Sequence, residues 1–262
     1  IIKKLMANGQ WLKAEKTMAQ AMKSYKARGV VLSTVKYGDS GMVVQMLTDK
    51  YGRQSYMVQG VRSSRGRGSK MALFQPLFIL NFEGLEPNHG ELHRMREVHN
   101  DSVFKSLPYD IRKSTMALFM AEVLYRLVGE SEANEPLFDF VYNSVRALDE
   151  IEEGVANFHL WFLTNLSRYL GYFPGNEHRK GCWFDMREGL YVSELPLHNQ
   201  AMNREESELL RDLTECDLEC LGEIPLNREQ RVAMLSRLVE YYSIHLEAIR
   251  SVRSIEILQE VF

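Results

Sequence analysis

The chain is predicted to be an α+β protein of more than one domain, with a small β-barrel followed by an all-helical domain. Residues 24–107 contain short β-rich runs separated by turn residues, whereas residues 108–262 show helical periodicity with capping residues. The charge changes sign at the same place: residues 1–107 hold 17 Lys and Arg against 8 Asp and Glu, and the remainder holds 15 against 27. Strands that precede helices in this way are typical of an α+β architecture.

Composition restricts the class of protein. The 262 residues are 45% hydrophobic and 26% charged, as in globular proteins. Apolar runs stay far below the roughly 20 residues of a membrane helix, and the lysine-rich start lacks the apolar region of a secretory signal. Three cysteines without framework spacing, Cys182, Cys216 and Cys220, favour a reducing compartment. We therefore expect a cytoplasmic protein without a membrane partner.

Five strands are expected between residues 25 and 98. Turn-forming residues at 36–41, 49–52 and 86–90 separate the runs, and Pro76 is expected to mark an edge or a bulge. Upstream, Trp11, Met18 and Tyr25 are spaced by seven residues and predict a weakly amphipathic helix over residues 8–25. The strand candidates are ARGVVLSTV, GMVVQMLT, QSYMVQGV, LFQPLFILNF and ELHRMREV.

Helix signals begin after Pro108. The run YDIRKSTMALFMAEVLYRLV has apolar residues at helical spacing, and Asn134 with Pro136 opens a second helix. The aromatic run VANFHLWFLTNLSRYLGYFP is expected to be central to the helical core and to end at Gly171. Cap pairs, Asn203 with Glu206 and Asn227 with Gln230, predict helices near 204–216 and 228–250.

Five antiparallel strands in about 75 residues suit an OB-fold. Four features of the first half stand out: Lys36-Tyr37-Gly38-Asp39, Leu47-Thr48 with Tyr51-Gly52, Gln59-Gly60-Val61-Arg62 before a basic loop, and Leu73 to Pro76. With these features the first half resembles the amino-terminal domain of the RecO family of bacterial recombination and repair proteins. NEPLFDFVYNSVRAL and LVEYYSIHLEAIRS resemble that family's helical domain, so the resemblance covers residues 24–262 and leaves the lysine-rich segment 1–23 outside.

This resemblance implies an OB-fold DNA-binding domain at 24–107 and a helical domain at 108–262. It implies a protein without catalysis or cofactor that binds single- and double-stranded DNA and anneals complementary strands. With RecR, such a protein helps RecA to replace the single-strand-binding protein SSB on DNA. The helical domain of the family receives the acidic, phenylalanine-ended tail of SSB. Candidate cations for that pocket include Arg112, Lys113, Arg126 and Arg146, among which the sequence does not choose.

Many family members carry a four-cysteine zinc module after the third long helix. The matching stretch near 172–200 holds Cys182 alone, so we expect a degenerate insertion without zinc. His178, Cys182 and His198 remain as a possible three-ligand remnant. The alternative, which we favour, is two solvated histidines and a buried thiol.

A basic segment is the strongest functional signal from the residues themselves. Lys50 to Phe82 contains six cations and no acid, on a Gly- and Ser-rich connection that can fit its guanidinium groups to phosphates. The alternative is an ordinary solvated loop. Tyr37, Tyr51 and Tyr56 offer candidate stacking faces for bases, and packing in the barrel is the alternative for each. Tyr56, in mid-strand, is expected to pack inside the barrel. The candidate DNA contacts are Lys36, Tyr37, Lys50, Tyr51, Arg53, Arg62, Arg65, Arg67 and Lys70.

Enzyme motifs are weak. His89 and His93 flank Glu91, but a strand would hold the two histidines about 13 Å apart, so surface histidines on an edge strand are expected. Cys216 and Cys220 lack a nearby activating histidine and are expected to be small buried hydrophobes. Besides the DNA-binding mediator, two hypotheses stay open: an adaptor whose barrel docks an acidic peptide, and a metal-dependent hydrolase.

Overall fold

A computed structural model of the protein describes residues 23–61, 70–86, 92–130, 133–175 and 177–262. Its first part is a closed five-stranded barrel with strand order β1-β2-β3-β5-β4, the topology of an OB-fold. The predicted barrel followed by helices is therefore confirmed. The strands are β1 (Ser24–Tyr37), β2 (Gly41–Thr48), β3 (Gly52–Val58), β4 (Ile79–Leu85) and β5 (His93–Asn100).

Alternation of buried and outward-facing residues builds the barrel. On β2, Met42, Val44 and Met46 are buried, because successive side chains of a strand point to opposite faces. The 14-residue β1 pairs with β4 over residues 24–30 and with β2 over residues 29–37, and its register with β2 shifts between Val31 and Ser33, just after the pairing with β4 ends. This irregularity lets one strand serve both sides of the closed barrel.

Two local expectations about the barrel were wrong. Residues 24 and 25, included in the helix expected over 8–25, belong to β1, and the rest of that helix lies outside the described residues except Lys23. Pro76 marks neither an edge nor a bulge, because β4 begins only at Ile79. Pro76 instead belongs to the turn before β4, where Leu77 adopts a left-handed φ of 63° and donates its N–H to the Val31 carbonyl.

Six α-helices follow in the described chain, and none of them is both long and apolar enough to cross a membrane. The two predicted capping boxes are present at Asn203 and Asn227. The helix expected over 228–250 ends at His245, and a 3₁₀ turn at Glu247–Ser251 replaces its last part. The helices are α1 (Ile111–Leu127), α2 (Glu135–Glu150), α3 (Phe158–Leu170), α4 (Arg204–Glu215), α5 (Arg228–His245) and α6 (Ser254–Val261).

Helix α3 lies at the centre of the helical core, as its aromatic sequence predicted. It contacts α2, α4 and α5, and Phe158, Phe162 and Leu166 are fully buried. Burial of each such side chain contributes about 1.5–3 kcal/mol relative to exposure. The helical domain is therefore organised around α3.

A three-stranded sheet occupies the region of the expected degenerate insertion. Its strands are β6 (Trp183–Asp185), β7 (Leu190–Val192) and β8 (Ala201–Met202). Aromatic contacts hold the sheet and the preceding segment on α5: the Phe184 ring centroid lies 5.3 Å from that of Tyr241, and Tyr172 stacks on His245. The sheet therefore gains its packing from rings of residues distant in sequence.

His178, Cys182 and His198, the three residues of the possible metal-site remnant, have different surroundings in the structure. Cys182 is buried, as expected. The two histidines are half-buried rather than solvated: His178 packs edge-on against Tyr191, and His198 lies 3.2 Å from the Asp185 carboxylate. Among the residues that the structure describes, no three His, Cys, Asp or Glu side chains are grouped to hold a metal ion.

The barrel and the helical domain share one hydrophobic core. Val30, Leu47 and Ile79 of the barrel belong to the same buried cluster as Met116 and Met120 of α1. On the α2 side, the Arg28 guanidinium lies 5.2 Å from the Tyr142 ring centroid, and the Tyr142 hydroxyl and the Asn81 amide both donate to Asp101. The barrel is thus fixed against α1 and α2.

The connection between the domains is held by a buried polar network. The Asp149 carboxylate accepts the backbone N–H groups of Lys105, Ser106 and Leu107 at 2.7–2.9 Å. Burial acts to raise the pKa of Asp149, but these amide donors and the Lys113 ammonium lower it below its usual value. The Lys113 ammonium itself donates to the Ser106 hydroxyl and the Asp149 carbonyl. This network fixes the path of the chain from β5 to α1.

Candidate nucleic-acid interface

The predicted DNA contacts do not meet at one point. Lys36 and Tyr37 lie at one end of β2, and Lys50 and Tyr51 lie at the other. Eight residues of β-strand separate these ends by roughly 25 Å. A ligand that touches both pairs must therefore be extended. Lys70 is exposed in a 3₁₀ turn before β4, and three predicted contacts lie outside the described residues: Arg62, Arg65 and Arg67.

The hairpin end, formed by Lys36–Gly41 and Gln59–Val61, exposes predicted contacts to solvent. Tyr37 is 60% exposed, and Lys36 is exposed on the opposite face of the strand. The Val61 N–H donates to the Ser40 carbonyl at 3.1 Å, so the chain leaves the barrel toward the predicted basic loop beside this hairpin. The structure therefore places Lys36 and Tyr37 at the same end of the barrel as residues 59–61, the last described residues before that loop.

The opposite end, around Tyr51, is packed. The Tyr51 ring lies 4.4 Å from the Tyr25 ring centroid, and its hydroxyl donates to Glu86 at 3.3 Å. Burial and the Glu86 carboxylate both raise the pKa of Tyr51. Lys50 is exposed beside it. A base that approached Tyr51 would find one side of the ring occupied.

Beneath Tyr51 lies a hydrogen-bonded aromatic cluster. The Tyr25 hydroxyl donates to the Tyr56 hydroxyl at 3.2 Å and lies 2.7 Å from Nδ1 of His93. Tyr56 is fully buried, which confirms that it packs inside the barrel. His93 was expected on a surface edge strand, which is wrong, because β5 closes the barrel and the ring is half-buried among the three tyrosines. His89, the other histidine of that pattern, lies outside the described residues.

Arg53 connects the barrel to the helical domain. Its Nη1 donates to the Tyr125 carbonyl of α1 at 3.1 Å, and its guanidinium lies 5.2 Å from the Tyr125 ring centroid. Nη2 lies 4.0 Å from Glu130, and the side chain is 16% exposed. The positive charge of Arg53 is therefore in contact with the Tyr125 carbonyl, the Tyr125 ring and Glu130. A DNA contact by Arg53 stays a prediction.

Sequence reasoning missed cations on the outer face of the strands. Lys26, Arg94 and Arg96 are exposed, and the latter two alternate with buried Met95 on β5. The alternation in ELHRMREV carries this signal, because residues on either side of an inward-facing methionine must face outward. Lys26 and Arg96 both lie opposite Glu83 across neighbouring strands, which weakens the positive potential at that point.

Cys216 and Cys220, four residues apart in the sequence, are not the buried hydrophobic residues that were expected. Cys216 is half-buried and Cys220 is exposed, because α4 ends at Glu215 and the expected shared helical face does not extend to them. Burial, the neighbouring Cys220 thiol and nearby acidic residues raise the pKa of Cys216 to about 11. This thiol is therefore protonated at neutral pH and is a poor nucleophile.

Each of the four cations considered for the SSB tail has a contact within the protein. Lys113 is buried in the interdomain network, Arg112 pairs with Asp110 at 3.0 Å, and Arg146 lies over Tyr142. Arg126 lies over Tyr125, and its Nε is 4.0 Å from Glu122. Arg126 lines a groove of about 400 Å³ between α1, α6 and the barrel. Arg253 and two half-exposed apolar side chains, Leu118 and Ile257, line the same groove.

The fold and its exposed basic residues define a two-domain protein with an OB-type barrel joined to a helical domain. The family described as "Recombination protein O N terminal" matches residues 22–100, and "Recombination protein O C terminal" matches residues 108–253. The chain therefore belongs to the RecO family, as the sequence resemblance predicted.

Curated relatives agree over nearly the whole chain. It is 37% identical over 238 residues to the "DNA repair protein RecO" of Phocaeicola vulgatus, covering 90% of this chain and 98% of that protein. The RecO protein of Bacteroides fragilis is 37% identical over 239 residues, with 90% and 98% covered. That of Flavobacterium psychrophilum is 34% identical over 238 residues with the same coverage. Family membership assigns the chain a role in recombinational DNA repair.

Proposed function

We propose that this protein is a non-catalytic recombination mediator of the cytoplasm. It binds single- and double-stranded DNA, anneals complementary strands and, with RecR, assists the loading of RecA onto SSB-coated DNA. The observation that carries the proposal is the acid-free segment from Lys50 to Phe82, with its six cations, on the OB-type barrel of a RecO family member.

Phosphate binding follows from the chemistry of these cations. A guanidinium group binds phosphate through two parallel hydrogen bonds, and contacts of this kind position nucleic acid without reading its sequence. The hairpin end supports the proposal because Lys36, Tyr37 and the beginning of the basic loop are neighbours there. The loop would then extend the same positive surface.

A strand-annealing assay with complementary oligonucleotides, bare and SSB-coated, tests this function. Charge reversal at Arg62, Arg65 and Arg67 to Glu should abolish annealing and weaken DNA binding about equally for unrelated sequences. A matched control reverses three exposed arginines of the helical domain, Arg179, Arg187 and Arg204. Wild-type protein that fails to anneal would favour the adaptor hypothesis, and equal affinities of the two triple variants would remove the loop from the site.

For the SSB tail we propose the groove between α1 and α6. Its apolar wall, Leu118 and Ile257, suits a terminal phenylalanine ring, and Arg126 and Arg253 offer charge to acidic residues. Glu122 also lines the groove; its carboxylate accepts the Ser254 amide at 2.9 Å and hydroxyl at 2.7 Å and lies 4.0 Å from Arg126. Two guanidinium groups against one carboxylate leave the charge of these lining side chains positive.

Fluorescence anisotropy with a synthetic acidic peptide that ends in phenylalanine tests the groove. Arg126→Glu with Arg253→Glu should weaken binding at least tenfold, and removal of the terminal phenylalanine should have a similar effect on the wild type. The control pair, Arg179→Glu with Arg187→Glu, makes the same charge change away from the groove. Equal affinities of the two pairs would place the tail elsewhere.

A further inference from the structure

The hairpin end carries a row of outward-facing side chains that the DNA-binding proposal does not use. The row crosses four strands, and each member is the cross-strand partner of the next. Its first member is 61% exposed, the next two are half-buried and the last is exposed. The surface is thus an apolar ridge that ends in a guanidinium group. In order, the row consists of Val35, Val43, Met57 and Arg94.

Tyr37 stands on the same face as this row. It follows Val35 by two residues, and residues two apart on a strand point to the same side. Its partner across the hairpin is Gly41, which has no side chain to cover the ring. A Cβ atom at Gly41 would lie 2.8 Å from the Tyr37 carbonyl oxygen, so a glycine is required there. The Tyr37 ring is therefore kept uncovered.

Open space lies against Tyr37 in two places. One cleft, of about 360 Å³, extends from Tyr37 to Leu92 and Arg94. A second, of about 670 Å³, lies between Tyr37 and the hairpin turn. Met57 and Gln59 line both clefts. Tyr37 thus borders both clefts, which share a wall.

We propose that this surface binds two successive unpaired nucleobases, one in each cleft, with the Tyr37 ring stacked between them. Met57 supplies an apolar wall, the Gln59 amide reaches the base edges as donor and acceptor, and Arg94 meets the backbone phosphate. The inference rests on the proposed DNA binding and adds to it a selection for single strands.

Single-strand selection follows from access to the faces of the bases. In a duplex each base face is covered by its neighbours in the stack, so an exposed tyrosine finds no face to contact. In a single strand the bases are free to unstack, and any base can stack on an aromatic ring. Phosphates are present in both single strands and duplexes, so the phosphate contacts proposed for the basic loop have no such preference.

Affinities for a single-stranded oligonucleotide and for a hairpin duplex of the same composition test the inference. Tyr37→Ala should bind the single strand about 10- to 100-fold more weakly, the effect of losing one or two stacked bases. Its affinity for the duplex should change less than twofold. Tyr37→Phe keeps the ring and should bind the single strand like the wild type. The control is Tyr109→Ala, which removes a tyrosine that is 82% exposed on the helical domain.

A second variant tests the ridge independently of Tyr37. Val35→Glu places a carboxylate on the exposed apolar row and should also weaken single-strand binding more than duplex binding. Equal single-strand affinities of Tyr37→Ala and Tyr109→Ala, or equal losses for single strand and duplex, would overturn the inference. Wild-type protein that binds neither DNA would overturn the proposed function itself, so the two failures are distinguishable.

Discussion

Tyr37 and Tyr51 occupy equivalent places in the sequence, each directly after a lysine and before a glycine at a turn of the barrel. In the structure they differ. Tyr37 projects from the hairpin end with open clefts beside it, whereas Tyr51 packs on Tyr25 and hydrogen-bonds to Glu86. The comparison teaches that the same Lys-Tyr-Gly sequence at a turn can either expose the tyrosine to solvent or pack it against the end of the barrel.

The packed end of the barrel, around Tyr51, also contacts the helical domain. Arg53, two residues after Tyr51, bonds to Tyr125 of α1. At the hairpin end, within the part of the chain that the structure describes, Lys36 to Gly41 form no hydrogen bond or ion pair with a helix of the second domain. Stability is therefore expected to depend on the Tyr51 end, and DNA affinity on the hairpin end.

The largest expected effect comes from removing the buried ring beneath Tyr51. Tyr56→Ala leaves a cavity in the barrel core and should lower the free energy of unfolding by about 3–5 kcal/mol. Tyr37→Ala, an exposed substitution, should change it by less than about 0.5 kcal/mol. Chemical denaturation measures both, and similar losses for the two variants would contradict the comparison.

Salt dependence gives the next largest effect. If about five phosphates are neutralised, the affinity for single-stranded DNA should fall about 100-fold between 50 and 200 mM salt, since each contact contributes roughly 0.7 to the slope. Charge reversal in the basic loop should flatten the slope, whereas Lys50→Ala should alter it by at most about 0.7. A salt titration by fluorescence anisotropy measures the slope. An unchanged slope in the loop variant would locate the phosphates elsewhere.

Arg53→Ala tests the docking task of the packed end. The change removes a charged hydrogen-bond donor from the Tyr125 carbonyl and should cost about 2 kcal/mol of unfolding free energy. Lys50→Ala, which removes an exposed cation three residues away, is the matched control and should have almost no effect. If Arg53→Ala instead reduces DNA affinity without loss of stability, the Arg53 guanidinium contacts DNA and does not stabilise the contact between the domains.

The smallest effect is a pH dependence of the aromatic cluster. Burial lowers the pKa of His93 below its usual value, so the unfolded chain takes up a proton at a higher pH than the folded barrel does. The stabilisation is present above the unfolded pKa, near 6.5, and is lost as pH falls through the lower folded pKa.

His159, whose pKa burial lowers to about 3, acts in the same direction, so the measurement must be a difference. The unfolding free energy of wild type minus that of His93→Asn should decrease between pH 7 and pH 5. A constant difference would show that His93 does not titrate with folding.

Much of the fold was predictable because its signals are local. Inward-facing residues alternate along β2, and the caps at Asn203 and Asn227 need only residues three positions away. Pro76 misled because a proline shows where a strand is interrupted but not how the chain turns before it resumes at Ile79. The small sheet was not predicted, since its strands have only two or three residues.

The candidate site was less predictable because exposure depends on distant partners. Sequence reasoning chose Tyr37 and Tyr51 together, and it missed Arg94 although β5 alternates clearly. The loop residues Arg62, Arg65 and Arg67 stay predictions.

The order of the barrel strands and the helices, the turns at 36–41 and 49–52 and the unequal distribution of charge follow from the residues alone, because propensity, capping and side-chain alternation act over a few positions. The tertiary structure decided which tyrosine is exposed, where Arg53 directs its charge and which strands bring Val35, Met57 and Arg94 into one row. Those outcomes depend on barrel closure and domain docking, which join residues such as Arg53 and Tyr125 that lie 72 positions apart.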